Sequence, residues 1–146
     1  MHERRFEGNV ERLRNPHRVA LLEVERVVDS VLAGLSEINS LLDVGTGSGL
    51  FAEQFAARGL SVTGLDVNPV MLSEARKFVP NGTFEEGVAE RLPFKDGSFD
   101  VIFMGLVLHE TDYLQKVFDE AYRVVKKRLA ILEWPYRLQD FGPPLE

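Results

Sequence analysis

The segment that most constrains the fold is residues 41–51, where an apolar run breaks into three alternating glycines and a helical pattern then begins. The segment reads LLDVGTGSGLF. Glycine permits positive φ and lets a ligand approach the bare backbone, and a helix that begins near Ser48 directs free N–H groups toward that ligand. The segment therefore predicts a strand, a tight turn and a helix start that together bind a nucleotide-like ligand.

The spacing of the glycines separates this turn from two other nucleotide-binding turns. A P-loop requires GxxxxGK[ST], and here neither the spacing nor the lysine is present. The NAD fingerprint is GxGxxG, whereas this turn is GxGxG, with Leu50 at the position of the third glycine. Taken alone the turn is a weak signal, and on these residues a plain connecting turn stays open as an alternative.

Composition narrows the class of protein. With 146 residues and 45% hydrophobic content, the chain fits one compact folded domain. Its net charge of −6 gives no overall field that favours a nucleic-acid backbone, so nucleic acid is not an expected partner.

The absence of cysteine excludes disulfides, thiolate metal sites and thiol catalysis, and we predict no metal site. The sequence shows neither an apolar run of about 18 residues nor an export leader, so we expect no membrane span and a cytoplasmic location.

Apolar periodicity predicts alternating strands and helices after a polar N-terminal arm, residues 1–17. Strands that are apolar on both faces, between amphipathic helices, indicate a parallel sheet that helices cover on each side. The fold class is therefore α/β and doubly wound, with the arm and first helix (residues 1–35) packed on a core of residues 36–146 as one structural domain. Helices are predicted over residues 18–35, 48–58, 69–78 and 113–127, and strands over residues 41–44, 60–67, 83–88, 99–104 and 129–134.

Residues at the carboxyl ends of the predicted strands are candidates for a ligand site, because ligands of such sheets gather there. Asp66 follows the first glycine by about twenty residues, the interval at which a carboxylate can accept hydrogen bonds from both hydroxyls of a ribose. A role for Asp66 in capping the helix that starts near Pro69 stays open. Asp43 lies at the turn itself, where it either accepts N–H groups of the loop and orders the glycines or touches the ligand.

From residue 41 to residue 134 the chain resembles the class I S-adenosylmethionine-dependent methyltransferases, in particular the small-molecule branch that is similar to ubiquinone/menaquinone methyltransferases (methyltransferase type 11). DVGTGSG matches the first motif of the family, GLDVNPVML its acidic second motif, and GVAERLPFKDGSFDVIF the region of its third and fourth strands. The resemblance implies a Rossmann-like sheet with strand order 3-2-1-4-5. It also implies methyl transfer from S-adenosylmethionine to a small-molecule acceptor, with S-adenosylhomocysteine as product.

The resemblance further implies which residues bind the cofactor. Asp66 would bind the ribose, Val67 would pack on the adenine, and Ala89 would offer its backbone to the adenine edge, with Glu90 nearby. Four residues of the turn would surround the methionine portion, and three at the end of the fourth strand would lie beside the sulfonium. The turn residues are Gly45, Thr46, Gly47 and Gly49, and the strand-end residues are Met104, Gly105 and Leu106.

One position departs from the family pattern. Many relatives have Asp or Asn immediately before the alanine, where it accepts from the adenine amino group, and this chain has Val88 there. Either Glu90 substitutes or that contact is missing. We still expect Val88 and Asp43 among the residues of the cofactor site.

Methyl transfer from a sulfonium needs few side chains, because the methyl group is already electrophilic and alignment does most of the work. A base is needed only where the acceptor must lose a proton. His109, just past the fourth strand in LVLHET, is the candidate catalytic base, and a local capping role for it stays open. The fourth strand ends in MGLVLHE rather than the [DN]PP[YF] of enzymes that methylate amines of nucleic acids, which favours small-molecule acceptors.

The last predicted strand is followed by few residues, whereas relatives usually continue with another helix and two strands. Strands 6 and 7 are therefore expected to be missing, and strand five is expected to be an exposed edge. A truncated chain and a homodimer through this edge would each explain the pattern. Two other functions stay open: a cofactor-binding module that acts through a partner without catalysis, and an NAD-dependent oxidoreductase.

Overall fold

The computed structural model describes residue 11 and residues 14–133, in which helices and strands alternate after two short N-terminal helices. None of the helices in these residues is both long enough and apolar enough to cross a bilayer. The helices are α1 (Pro16–Leu22), α2 (Val24–Leu32), α3 (Leu50–Ala57), α4 (Pro69–Phe78), α5 (Leu114–Val124) and a 3₁₀ helix (Leu108–Glu110); the strands are β1 (Ser40–Val44), β2 (Ser61–Asp66), β3 (Thr83–Glu86), β4 (Phe99–Gly105) and β5 (Val125–Leu132).

All five strands of the described residues pair in parallel in the order β3-β2-β1-β4-β5, so the predicted doubly wound sheet and its strand order are confirmed. β1 lies at the centre, and its last residue, Val44, stands beside Leu65 of β2 and Met104 of β4. The carboxyl ends of these three strands therefore meet at one edge of the sheet. β5 is an outer strand, and up to residue 133 no sixth or seventh strand follows it.

The sheet has an apolar core on each face, because neighbouring residues of a strand point to opposite sides. On β1, Leu41 belongs to one core cluster and Leu42 to the other, and both side chains are fully buried. The first cluster includes side chains of α2, α3 and α4, and the second includes those of α5. Helices on both faces thus cover the central strands and leave their carboxyl ends as the place where a ligand can approach.

The N-terminal helical region differs from the single helix predicted over residues 18–35. The backbone of Glu23 is left-handed, with φ of 48°, and this residue ends α1 and begins α2. α1 itself starts at Pro16, where the Asn15 side chain accepts from the N–H of His17 and caps the helix. The apolar positions keep helical spacing across the break, so the pattern contains no sign of it.

The last helix and strand also have different bounds from those predicted. α5 ends at Val124 and β5 begins at Val125, whereas the prediction continued the helix to residue 127 and placed the strand over residues 129–134. Val125 pairs with Phe99 of β4, so pairing with the sheet overrides the helical pattern of this segment. β3 ends at Glu86 rather than at residue 88, because Val88 forms an isolated antiparallel bridge with Arg91 instead of pairing with β2. Residue 134 lies outside the described residues.

Candidate functional site

The glycine turn between β1 and α3 has the backbone that the sequence predicts. Gly45, Gly47 and Gly49 have φ of 75°, 56° and 85°, in the left-handed region that residues with a Cβ rarely adopt. α3 begins at Leu50, with Gly49 as its N-cap, rather than near Ser48. The turn therefore brings bare backbone to the carboxyl edge of the central strand.

Two contacts fix the first glycine of the turn. The N–H groups of Gly45 and Thr46 both donate to the carbonyl oxygen of Leu65 in β2, at 2.8 and 2.9 Å. On its other side Gly45 faces Val107, so closely that a Cβ at residue 45 would lie 2.1 Å from Cγ1 of Val107. Residue 45 thus requires glycine both for its backbone conformation and for its packing.

The carboxylate of Asp66, at the end of β2, is bonded to the turn. Its Oδ2 accepts from the N–H of Gly47 at 2.8 Å, and its Oδ1 accepts from the N–H of Asn68 at 3.0 Å. Asn68 is the residue that caps α4, because its own Oδ1 accepts from the N–H groups of Val70 and Met71. The capping role considered for Asp66 therefore belongs to Asn68.

Asp43 lies beneath the turn with 3% of its surface exposed. It accepts a hydrogen bond from the hydroxyl of Thr46 at 2.8 Å, whereas the sequence argument named N–H groups of the loop. Burial raises the pKa of Asp43 to about 7; the bond from Thr46 lowers this pKa, and the nearby carboxylate of Asp66 raises it. The carboxyl group of Asp43 thus changes its charge near neutral pH inside the site.

A cavity of about 40 Å³ lies at the carboxyl edge of the sheet, between the glycine turn, the end of β2 and the loop after β3. Five of the residues predicted to bind a cofactor line it: Gly45, Asp66, Val67, Ala89 and Glu90. These residues come from three separate parts of the chain. Residues that follow or end the first three predicted strands therefore meet at this cavity, whereas Met104, Gly105 and Leu106 at the end of the fourth do not line it.

Other predicted residues lie around the cavity rather than in its wall. Thr46 is a buried residue of the turn itself, and Met104 is fully buried in the core cluster that contains side chains of α5. Leu106 packs against the opposite core cluster. Val88 lies apart from them, 36% exposed, in an adjoining groove beside α5. Val88 thus lies outside the wall of the cavity, and Glu90 lines both this groove and the cavity.

The segment after β4 supplies cavity residues that the sequence argument missed. Val107, Glu110 and Thr111 all line the cavity. Leu106 turns the chain toward it with φ of 62°, a left-handed conformation that is uncommon for a residue with a bulky side chain. The hydroxyl of Thr111 donates to the carboxylate of Glu90. No local pattern signals these roles, because they depend on how the segment folds back over the sheet.

His109 lies on the 3₁₀ helix of this segment with its side chain 50% exposed, and it is not among the residues that line the cavity. Its Nδ1 is 3.2 Å from Oε1 of Glu133, and its Nε2 is 3.9 Å from Oε2 of Glu110. Oε2 of Glu133 also accepts from the N–H of Leu108 at 2.7 Å. Glu133, just after β5, therefore orients both the segment and the imidazole ring.

The residues that the structure describes contain no cluster of side chains suited to ligate a metal ion. Among those residues, no group of three or more His, Asp or Glu side chains could hold a metal ion. The polar groups of the site are instead carboxylates, hydroxyls and main-chain N–H groups, which suit an organic ligand with hydroxyl and amino groups.

Comparison with known proteins gives the family. The methyltransferase domain family matches residues 42–131, and the chain belongs to this family, as its motifs indicated. The demethylmenaquinone methyltransferase of Chlorobaculum parvum is 44% identical over 87 residues, which are 59% of this chain and 36% of that protein. The demethylmenaquinone methyltransferase of Thermotoga maritima is 37% identical over 115 residues, covering 75% of this chain and 48% of that protein.

A solved structure supports the same assignment. The crystal structure of an S-adenosylmethionine-dependent methyltransferase from Aquifex aeolicus has a TM-score of 0.75 and 29% sequence identity to this chain. The similarity covers 96% of this chain and 79% of that structure. The matched segments cover 36% to 48% of the length of the two curated relatives described above, so the chain spans less than half of each.

Proposed function

We propose that the chain binds S-adenosylmethionine at the carboxyl edge of its sheet and transfers the methyl group to a small-molecule acceptor. The observation that carries the proposal is the carboxylate of Asp66, which is bonded to the glycine turn and lines one cavity with Val67 and Ala89. A carboxylate suits the hydroxyls of a ribose, and the two apolar residues suit the face and edge of an adenine. The residue types at the site therefore fit this cofactor.

Asp66 would accept from the ribose while it keeps its contact with the turn. A carboxylate offers about four acceptor positions, so an oxygen that accepts from an N–H of the turn can also accept from a hydroxyl. Val67 would pack on the adenine, and the main chain of Ala89 would face its edge. Because Asp66 and Gly47 are bonded to each other, the ribose and the methionine portion would be bound by one connected unit.

Glu90 is the residue we propose for the adenine amino group. The side chain of Val88 has no polar group for this contact and lines the adjoining groove, whereas Glu90 lines both that groove and the cavity. The bond from Thr111 orients the carboxylate of Glu90 toward the segment after β4. Glu90 would therefore replace the Asp or Asn that many relatives have at position 88.

The methionine portion would lie over the glycine turn. Gly45, Thr46, Gly47 and Gly49 would surround it with main-chain atoms, and Asp43 would act beneath them through the hydroxyl of Thr46. The buried side chain of Met104 faces the core, so its contribution beside the sulfonium, like that of Gly105 and Leu106, would come from the main chain.

His109 is the residue we propose as the base that removes a proton from the acceptor. When bound, S-adenosylmethionine supplies a methyl group on a positively charged sulfur, which is already a strong electrophile. The contact of Nδ1 with Glu133 would leave Nε2 of His109 to accept a proton. The half-exposed ring suits a role toward an acceptor that enters from solvent, and it contributes nothing to the cavity itself.

The first acceptors to test are demethylmenaquinone analogues in their reduced quinol form, since both curated relatives described above are named demethylmenaquinone methyltransferases and only the quinol ring is electron-rich enough to attack the methyl group. Transfer of a radiolabelled methyl group from S-adenosylmethionine to this class, or to another small phenol or amine, would support the proposal. Binding of S-adenosylhomocysteine without transfer to any acceptor of the panel would contradict it and favour a cofactor-binding module that does not catalyse.

The proposed base is tested with the variant His109→Asn. We expect it to bind S-adenosylhomocysteine as the wild type does and to turn over about a hundredfold more slowly, the usual range for loss of a general base. His17→Asn, an exposed histidine in the first turn of α1, is the matched control. Equal turnover of the two variants would show that His109 is not the base.

The outer edge of β5 is the surface we propose for pairing with a second copy of the chain. In the described sheet β5 pairs only with β4, and Ile131 near its end is 42% exposed. An edge strand presents N–H and C=O groups that another strand can pair with. Sedimentation equilibrium should give a dimer that Ile131→Lys weakens, and a wild-type monomer at all concentrations would contradict this.

A further inference from the structure

Arg14, at the end of the predicted N-terminal arm, makes four contacts beside the glycine turn. Its Nε donates to the hydroxyl of Ser48 at 3.1 Å, and its Nη2 donates to the carbonyl oxygen of the same residue at 2.9 Å. Its Nη1 donates to Oε1 of Glu53 in α3 at 3.0 Å. The guanidinium carbon also lies 3.5 Å from the centroid of the Phe78 ring, at the end of α4. One side chain thus joins the arm, the turn and two helices.

We propose that Arg14 is a positioning residue for the cofactor turn, an inference that rests on the proposed function of that turn. Ser48 lies between Gly47 and Gly49, and only 2% of its surface is exposed. The carbonyl oxygen of Ser48 accepts a hydrogen bond from Arg14, and this bond fixes the plane of the peptide between Ser48 and Gly49. The preceding residue, Gly47, donates its own N–H to Asp66. Arg14 therefore restrains the turn from one side while Asp66 restrains it from the other.

The geometry of these contacts requires arginine rather than any positive charge. Guanidinium donors lie in one plane and point in fixed directions, so Arg14 can donate to Ser48 and Glu53 at once while its face stacks on Phe78. An ammonium group is a compact charge without a planar face. Lysine at this position would keep the attraction to Glu53 but could not keep all four contacts.

The position of Arg14 is also well shielded from water. Only 17% of its side chain is exposed, compared with 84% for Arg26, whose single described ion pair with Glu23 lies at the start of α2. Shielding strengthens hydrogen bonds between charged and polar groups, whereas exposed pairs contribute little. Arg26 is therefore a suitable control for removing a guanidinium at a place where no turn depends on it.

Restraining a glycine-rich turn matters because glycine loses more conformational freedom than any other residue when it is ordered. Three glycines within five residues would otherwise sample many backbone states, and a ligand would have to order them on binding. Contacts that order the turn beforehand lower that cost and raise affinity. The predicted effect of Arg14 is thus on cofactor affinity, separate from the stability of the core.

The test compares Arg14→Lys, Arg14→Ala and Arg26→Ala in the full chain. We expect both Arg14 variants to raise the dissociation constant of S-adenosylhomocysteine about tenfold, by isothermal titration, and Arg26→Ala to leave it unchanged; tenfold corresponds to about 1.4 kcal/mol. The melting temperature of the ligand-free protein should fall by a few degrees in Arg14→Lys, because hydrogen bonds are lost, but this variant should stay folded at the temperature of the titration. An unchanged dissociation constant in both Arg14 variants would overturn the proposal, as would a loss of affinity that only follows a loss of stability.

A second measurement does not depend on the cofactor. In the ligand-free protein, hydrogen exchange of the Gly47 and Gly49 amides, which donate to Asp66 and Thr46, should be faster in Arg14→Lys than in the wild type. Unchanged exchange would overturn the positioning role. If exchange accelerates but the wild type binds no S-adenosylhomocysteine, the role of Arg14 stands and the proposed function fails.

Discussion

The main-chain N–H of Gly47 donates to the carboxylate of Asp66 at 2.8 Å, and this bond joins the glycine turn after β1 to the end of β2. Because Gly47 follows β1 and Asp66 ends the neighbouring parallel strand β2, the bond sets the distance between the two halves of the candidate cofactor site. A hydrogen bond to an ionised acceptor is stronger than one between neutral groups. The turn and the acid therefore act as one unit, and a change in either is expected to affect the other.

Gly45→Ala is expected to destabilise the protein strongly. A methyl group at residue 45 would lie 2.1 Å from Cγ1 of Val107, and the residue would keep an unfavourable φ of 75°. Crowding typically costs 1–3 kcal/mol and the left-handed backbone another 1–2, so we expect a loss of about 3 kcal/mol in the free energy of unfolding. Urea unfolding measures this loss.

The matched control for that variant is Gly59→Ala. Gly59 has a comparable φ of 91°, but a Cβ there would meet nothing within 4 Å. It should therefore show only the backbone cost of about 1 kcal/mol. Equal losses in the two variants would mean that the packing of Val107 on the turn contributes nothing to stability.

Asp43→Asn is expected to change how stability depends on pH. The pKa of Asp43 is about 7 in the folded protein, against an ordinary value of 3.8, so the folded state keeps the proton longer than the unfolded state. Below about pH 4 the carboxyl group of Asp43 is protonated in both the folded and the unfolded state, so folding does not have to bury a charge. Between about pH 4 and pH 7 stability is lost progressively, by up to about 4 kcal/mol at 1.36 kcal/mol per pKa unit.

Asparagine cannot ionise, so the stability of this variant relative to the wild type should rise across that pH range. Urea unfolding of both proteins at pH 4.5 and pH 7.5 measures the difference. Asp29→Asn, at an exposed carboxylate paired with Arg58, serves as the control and should show little change. A constant difference between Asp43→Asn and the wild type at the two pH values would contradict the assigned titration.

Arg123→Lys is expected to loosen the loop between β3 and β4. Arg123 donates to the carbonyl oxygens of Leu92 and Phe94 and pairs with Glu120, which also accepts from the N–H of Leu92. Lysine cannot reproduce these directions, and we expect a loss of about 2 kcal/mol in the free energy of unfolding. Faster hydrogen exchange in residues 88–98 should accompany it, whereas Arg26→Lys should change neither quantity.

The sequence was sufficient for the fold because the signals that decide it are local and repeated. Apolar strands between amphipathic helices predicted the parallel sheet, and the strand order that the family resemblance implied is the one in the structure. The element boundaries at Glu23 and Val125 could not be predicted in this way. The first depends on one left-handed residue within an unbroken helical pattern, and the second on pairing with β4.

The candidate site was predictable where the ends of the predicted strands decide it. Gly45 and Asp66 follow or end two predicted parallel strands, which placed both at one edge of the sheet, and both line the cavity. The contacts that Val107 and Arg14 make with the turn were not predictable. Arg14 and Ser48 are 34 positions apart in the chain, and the contact between Val107 and Gly45 depends on how the loop after β4 folds back. Such contacts follow from the assembled fold and have no local pattern of their own.

The most direct test of the account is isothermal titration of S-adenosylhomocysteine into the wild type and Asp66→Asn, with Asp29→Asn as a surface control. We expect the wild type and Asp29→Asn to bind equally, and Asp66→Asn to bind about tenfold to a hundredfold more weakly because hydrogen bonds to a charged group are lost. Folding of each variant is checked by its melting curve. Equal affinity of Asp66→Asn and the wild type, or no binding by the folded wild type, would contradict the account.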